Sequence, residues 1–270
     1  MVGKSCWLVL ALVCSFANAA ERECMPDHET FKIASSAMQE DRTINVYLPP
    51  TYGVDTKAVF PVVYMPDGGE MEDFPHVASA IDRAIAEGAM RPVILVGIEN
   101  TQRRRDMTGP TQVPSDREIA PRVGGSAAFR RFIKTELFEA VDARYRTSAS
   151  RGIIGESLAG LFVVETFVRD RSMFDTYIAF SPSLWWNGGA LLREAPAELA
   201  RNSNGATLYM AAADEENIVP LLRDFRTLIA GRDSAHLRWT IEEYPSLSHA
   251  TIYRALAPSI LRNSYPTGDQ

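Results

Sequence analysis

From about residue 30 to residue 262 the chain alternates short apolar runs with longer stretches of helical period. FKIASSAM and RTINVYLPP read as an antiparallel strand pair, with Ile44, Val46 and Leu48 alternating on one face of the second. PVVYMPD (61–67) and PVILVGIE (92–99) are continuous apolar runs, the mark of strands buried on both faces. Between them HVASAIDRAIAEGAM repeats as a helix. SAAFRRFIKTELFEAVDARY (126–145) is a longer amphipathic helix with Phe129, Phe132, Ile133 and Leu137 on one stripe. The strand RGIIG and a helix from Ser157 to about Arg171 come next. The strand TYIAFSPS, a helix near 190–200, the strand TLYMAAAD and a helix over about 218–231 follow. The strand HLRWTIEEYP and a last helix over about 251–262 close the series. Such alternation predicts an α/β fold, a mostly parallel central sheet with helices on both faces. Residues 100–125 break the pattern, with no apolar period. A segment of that length in a compact domain is functional or disordered, and this one is a candidate lid or substrate-binding insertion.

Composition narrows the reading. The chain has 270 residues, 46% hydrophobic and 23% charged, enough for one large core. A net charge of -6 argues against sequence-independent binding of nucleic acid, which depends on neutralising phosphates. The run Arg103–Arg105 is too short to change that. It reads as a salt-bridging or substrate-facing turn, with Arg105 the candidate substrate contact.

The N-terminus has its own character: Lys4, the apolar CWLVLALVCSFA, then Ala17-Asn18-Ala19 as a small-x-small cleavage site. This is a secretory signal pattern, too short to span a bilayer. Residues 1–19 are therefore expected to be removed, leaving 20–270 as a single domain in the periplasm or secreted, without stable membrane insertion. Cys6 and Cys14 leave with the signal, and Cys24 alone cannot close an internal disulfide. Oligomeric state leaves no mark in the sequence.

The candidate chemistry sits at Gly155-Glu156-Ser157-Leu158-Ala159, a G-x-S-x-[GA] turn followed by Gly160. A strand precedes it and an apolar helix follows. In an α/β hydrolase this is the elbow that exposes a nucleophilic serine, and the helix start faces the developing oxyanion. A serine N-cap is the plain alternative. A serine needs a base. Of the four histidines, His28 precedes the sheet, and His76 begins a helix in a cap or surface role. His236 is a half-exposed strand residue, and His249 lies in the loop before the last helix. Elimination and the chain order serine, acid, histidine select His249. The acid should follow TLYMAAAD, where Asp214, Glu215 and Glu216 are adjacent. Oxyanion donors are expected from the backbone of Leu158 and of Gly68 or Gly69, unless the glycines form a plain Asp-Gly turn. Trp185 and Trp186 line an acyl or aromatic pocket, or belong to the core. No dinucleotide or phosphate-loop pattern is present, so no metal or organic cofactor is expected.

Together VVYMPDGGE, VGIENTQRRRDMT, GESLAGLFVVETF and FSPSLWW resemble the putative esterase family over about residues 30–262. That family includes siderophore and feruloyl esterases and S-formylglutathione hydrolase. The resemblance implies an α/β-hydrolase fold and hydrolysis of a small-molecule ester by Ser157 with His249 as base. It matches the family's carboxylate best at Glu215. Ala159 stands where glycine is common, and SHATIY lacks a frequent His-Gly pair. Acyl transfer on the same residues and non-catalytic ligand binding are the rival readings.

Overall fold

A computed structural model describes residues 25–201, 204–231 and 237–268. The signal-like segment, Cys24 and His236 lie outside the described residues. β1 (His28–Ser35) and β2 (Glu40–Tyr47) form a hairpin, followed by β3 (Phe60–Pro66), α1 (Phe74–Ala86) and β4 (Ile94–Ile98). The 100–125 segment contains two single-turn helices, α2 (Arg103–Met107) and α3 (Pro114–Glu118). Then come α4 (Ser126–Phe132), a π turn (Ile133–Leu137) and α5 (Phe138–Arg144), where the sequence predicts one unbroken helix. The rest alternates regularly: β5 (Thr147–Glu156), α6 (Leu158–Arg169), β6 (Thr176–Phe180), α7 (Trp186–Arg201), β7 (Ala206–Ala213), α8 (Val219–Ala230), β8 (Leu237–Tyr244) and α9 (His249–Ser264).

The eight strands lie in the order β1-β2-β4-β3-β5-β6-β7-β8. β2 is antiparallel to β1 and β4, and every other pairing is parallel. The carboxyl ends of β3, β5, β6, β7 and β8 therefore open on one edge, where side chains from distant parts of the chain can meet. Strand side chains alternate between faces. Val62, Tyr64, Ile153 and Met210 join one core with the helices α4 to α8, and Val63, Met65, Ile154 and Ile178 join the other with α1 and α9. Residues Leu158 to Val168 of α6 are all buried, as a helix apolar on every side requires.

The 100–125 segment is anchored by charge as well as by the buried Met107. Arg42 of β2 and Asp106 of α2 are fully buried and paired at 2.6 Å. The same guanidinium also donates to Thr101 and to the Glu99 carbonyl, and it lies over the Phe129 ring. A buried charge that keeps its partner is tolerated, and one that loses it is costly. The anchor is polar, so hydrophobic periodicity does not register it.

Candidate active site

β5 passes into α6 at Ser157, whose backbone is left-handed at φ 58°, ψ -117°. Such a conformation persists only where the surroundings hold it. The Ser157 N–H donates to the Phe180 carbonyl at 2.9 Å, and the Ser183 N–H donates to the Ser157 carbonyl at 3.0 Å. Gly155 lets the turn close: a Cβ there would stand 2.8 Å from the Ala159 Cβ. Ala159 is accommodated because Gly155 supplies the room. Leu158 opens α6, so its N–H is one of the donors that a helix leaves without an intrahelical partner.

The carboxyl ends of β6, β7 and β8 bring in the rest. His249 is the first residue of α9 rather than a loop residue, and Ser248 and Thr251 form a capping box around it. Its Nδ1 lies 2.6 Å from Glu215 Oε1. The other oxygen of Glu215 accepts a hydrogen bond from the Ser181 hydroxyl. Asp214 and Glu216 are exposed, and the Asp214 N–H ties the two loops together by donating to the Leu247 carbonyl at 3.1 Å. Of the three adjacent acids, Glu215 is therefore the one that meets the histidine.

Sequence reasoning assigned no role to Ser181 or Ser183, although FSPSLWW was visible. Ser181 is fully buried with φ 39° and holds the acid, and the Ser183 hydroxyl lies 3.5 Å from that of Ser157. Asp67, at the end of β3, is left-handed too, at φ 56°. The strained residues at three neighbouring strand ends were the signal, and only backbone geometry carries it.

Several expected contacts fall elsewhere. The Gly68 N–H donates to the Ile98 carbonyl at 3.0 Å, and the Gly69 N–H donates to the Glu72 carboxylate at 2.7 Å. Neither glycine therefore presents a free donor, because the β3–α1 turn uses both. Arg105 is held by Glu40 and Asp106. The arginine at the strand ends is Arg103, which grips Asp67 with two bonds of 2.7 Å. Trp186 is 4% exposed, and its indole N–H donates to the Gly109 carbonyl. It also walls a cavity of about 370 Å³ with Leu161, Leu191 and Pro110, so it serves core and cavity at once. Trp185 is half-buried beside it. His76 is buried rather than a surface cap, because its face of α1 meets α9, where the ring sits edge-on to Tyr253 at 4.7 Å. His28 is already in β1, 3.1 Å from Glu70. Among the described residues no cluster of three or more His, Cys, Asp or Glu is arranged to hold a metal. No described helix is long and apolar enough to cross a membrane.

Glu156, next to Ser157, has its carboxyl pushed up to about 8 by burial and then by the negative charge of Asp73, partly offset by Arg103. The unfolded chain loses this proton near pH 4.5 while the folded chain keeps it to about 8, so stability falls as pH rises between those values. Glu156→Gln removes the titration. Its melting temperature relative to the unsubstituted protein should rise steadily from pH 5 to pH 8, as read by calorimetry. A constant difference across that range would contradict the buried, proton-holding carboxyl.

The family model described as "Putative esterase" matches residues 35–225. The chain belongs to this esterase family. The ferri-bacillibactin esterase BesA of Bacillus subtilis (strain 168) is 30% identical over 199 residues, 67% of this chain and 68% of that protein. A siderophore triacetylfusarinine C esterase of Aspergillus fumigatus is 32% identical over 149 residues, 51% of this chain and 49% of that protein. The esterase chain thus spans about half the length of that fungal relative. Among solved structures, an IroE-like serine hydrolase from Shewanella oneidensis superposes with TM-score 0.77 at 24% identity, over 88% of this chain and 80% of that one. The siderophore hydrolase EstB from Aspergillus nidulans gives TM-score 0.76 at 22% identity, over 89% and 96%. At that identity the likeness establishes the fold, which is that of the α/β hydrolases.

Proposed function

We propose that this esterase is exported and opens a carboxylic ester of a siderophore through an acyl-enzyme on Ser157. The observation that carries the reading is the 2.6 Å contact of His249 with Glu215, on the same strand-end edge as the left-handed Ser157. Glu215 fixes the imidazole with its proton on Nδ1, which makes Nε2 the base. His249 takes the Ser157 proton as the oxygen attacks the ester carbon. The tetrahedral oxyanion is met by the Leu158 N–H. His249 then gives its proton to the leaving alkoxide, and the alcohol departs. Water, deprotonated by the same nitrogen, hydrolyses the acyl-serine and restores the enzyme. Ser181 acts through Glu215 as a positioning residue.

The substrate class is supported by two relatives whose names specify siderophore esters. Export is supported by the signal-like pattern of residues 1–19. The test is a hydrolysis panel with chain 20–270: p-nitrophenyl butanoate, a feruloyl ester, a thioester and a trilactone siderophore. The trilactone should give the highest kcat/KM. Preference for another ester overturns the substrate class, and no turnover with no serine labelling by a fluorophosphonate overturns the enzyme.

A further inference from the structure

The cavity of about 370 Å³ that Trp186 walls runs between α6, α7 and residues 109–112. Ser157 does not line it. Its α6 wall is Leu161, Glu165 and Arg169, a stripe at helical spacing. Glu165 stands eight residues past Ser157, about 12 Å along the helix axis. Pro110, Leu161, Trp186, Ala190 and Leu191 supply the apolar part of the lining.

Beside that apolar wall, Glu165 is 6% exposed, and its Oε2 has no hydrogen-bond partner among the described residues. Two more buried polar atoms share that condition, Ser126 Oγ and Arg130 Nη1. Arg130 Nη1 lies 3.6 Å from Glu165 Oε2, too far for a hydrogen bond. Gly109 faces both Glu165 and Ser126: a Cβ there would stand 3.4 Å from Glu165 Oε1 and 3.8 Å from Ser126 Oγ. Buried polar groups are costly to leave unpaired. A hydroxyl between the carboxylate and the guanidinium satisfies both, because it donates to the first and accepts from the second. The charges at the cavity balance. Arg169 bonds Glu165 at 3.0 Å and Glu194 at 2.5 Å, and Arg130 is the second guanidinium against these two carboxylates. An ionised ligand would bring a buried charge with no counter-ion.

We propose that this cavity is a second ligand site, which takes an uncharged alcohol with its hydroxyl between Glu165 and Arg130 and its apolar body against Leu161, Trp186 and Leu191. The site goes beyond the ester-hydrolase reading and does not rest on it, since no step at Ser157 uses these residues.

Benzyl alcohol and toluene test it, because they differ by the hydroxyl. Titrated into the protein and followed by tryptophan emission, benzyl alcohol should bind with a Kd of about 1 mM, within what so small a ligand can supply. Toluene should bind about tenfold more weakly, since it leaves the carboxylate and guanidinium unpaired. Gly109→Ala sets a methyl group in ordinary contact with Glu165 and Ser126. It should raise the Kd for benzyl alcohol about tenfold without lowering the melting temperature. Ala190→Leu narrows the apolar part of the cavity and should weaken both ligands alike. Protein treated with a fluorophosphonate should bind benzyl alcohol as well as untreated protein does, because the cavity is not at Ser157. Equal affinity for the two ligands, a Kd that Gly109→Ala or Ala190→Leu leaves unmoved, or binding lost after fluorophosphonate treatment overturns the site. No turnover is read, so failure here leaves hydrolysis at Ser157 standing, and failure of hydrolysis leaves the cavity site standing.

Discussion

Ser157→Ala should lower kcat for ester hydrolysis by about a million-fold, the scale on which a triad nucleophile counts when the rest of the site is intact. The alanine removes the Ser157 hydroxyl, and the backbone bonds that hold the turn come from main-chain atoms of Ser157, Phe180 and Ser183. Among the described residues the hydroxyl's hydrogen-bond contact is Ser183, at 3.5 Å, so stability should change by less than about 0.5 kcal/mol. His249→Ala should fall almost as far, because removing either member disables the unit. Glu215→Gln should lose less, about ten-thousand-fold, since its carboxylate orients the base and does not itself react. Stopped-flow or steady-state hydrolysis with a fluorophosphonate labelling control checks all three. A Ser157→Ala protein that keeps a measurable burst of alcohol release would sink the acyl-enzyme.

Gly68→Ala should be the most destabilising of the conservative substitutions near the site. A Cβ at Gly68 would stand 2.2 Å from the Ile98 nitrogen and 2.3 Å from the Gly97 Cα. Both are backbone atoms of β4, so no side chain can swing aside. Relief requires the end of β3 to separate from β4, breaking the 3.0 Å bond from the Gly68 N–H to the Ile98 carbonyl. Overpacking of this kind costs about 3 kcal/mol or more where the backbone itself must move. Urea unfolding followed by circular dichroism reads the loss. An unchanged midpoint would mean that the β3–α1 turn tolerates a wider path than its backbone contacts allow.

Much of the fold was legible along the chain because its core is built from apolar periodicity. The buried strands Val62–Met65 and Ile94–Ile98 and the apolar helix after Ser157 each announced themselves locally. That Ser157, the acidic run 214–216 and His249 come to one edge was legible for the same reason: each follows a recognisable strand, and the sheet brings strand ends together. The sequence by itself therefore determined the α/β layering and the place of Ser157 at the turn between β5 and α6.

The rest depended on contacts between segments far apart in the chain, which leave no periodic trace. Three adjacent carboxylates are equivalent as residues. Only the crossing of the loops after β7 and β8 turns Glu215 toward His249 and leaves Asp214 and Glu216 in solvent. Ser181 and Ser183 acquired roles because β6 ends between the elbow and the acid. Gly68 and Gly69 look like free donors until the Ile98 carbonyl and Glu72 are placed against them. The 100–125 segment looked irregular because its anchor is a buried arginine–aspartate pair drawn from β2 and α2, and electrostatic pairing has no sequence period. Burial of apolar surface follows the local repeat and so can be read locally, whereas the direction of a polar group is set by whichever distant partner the fold brings to it.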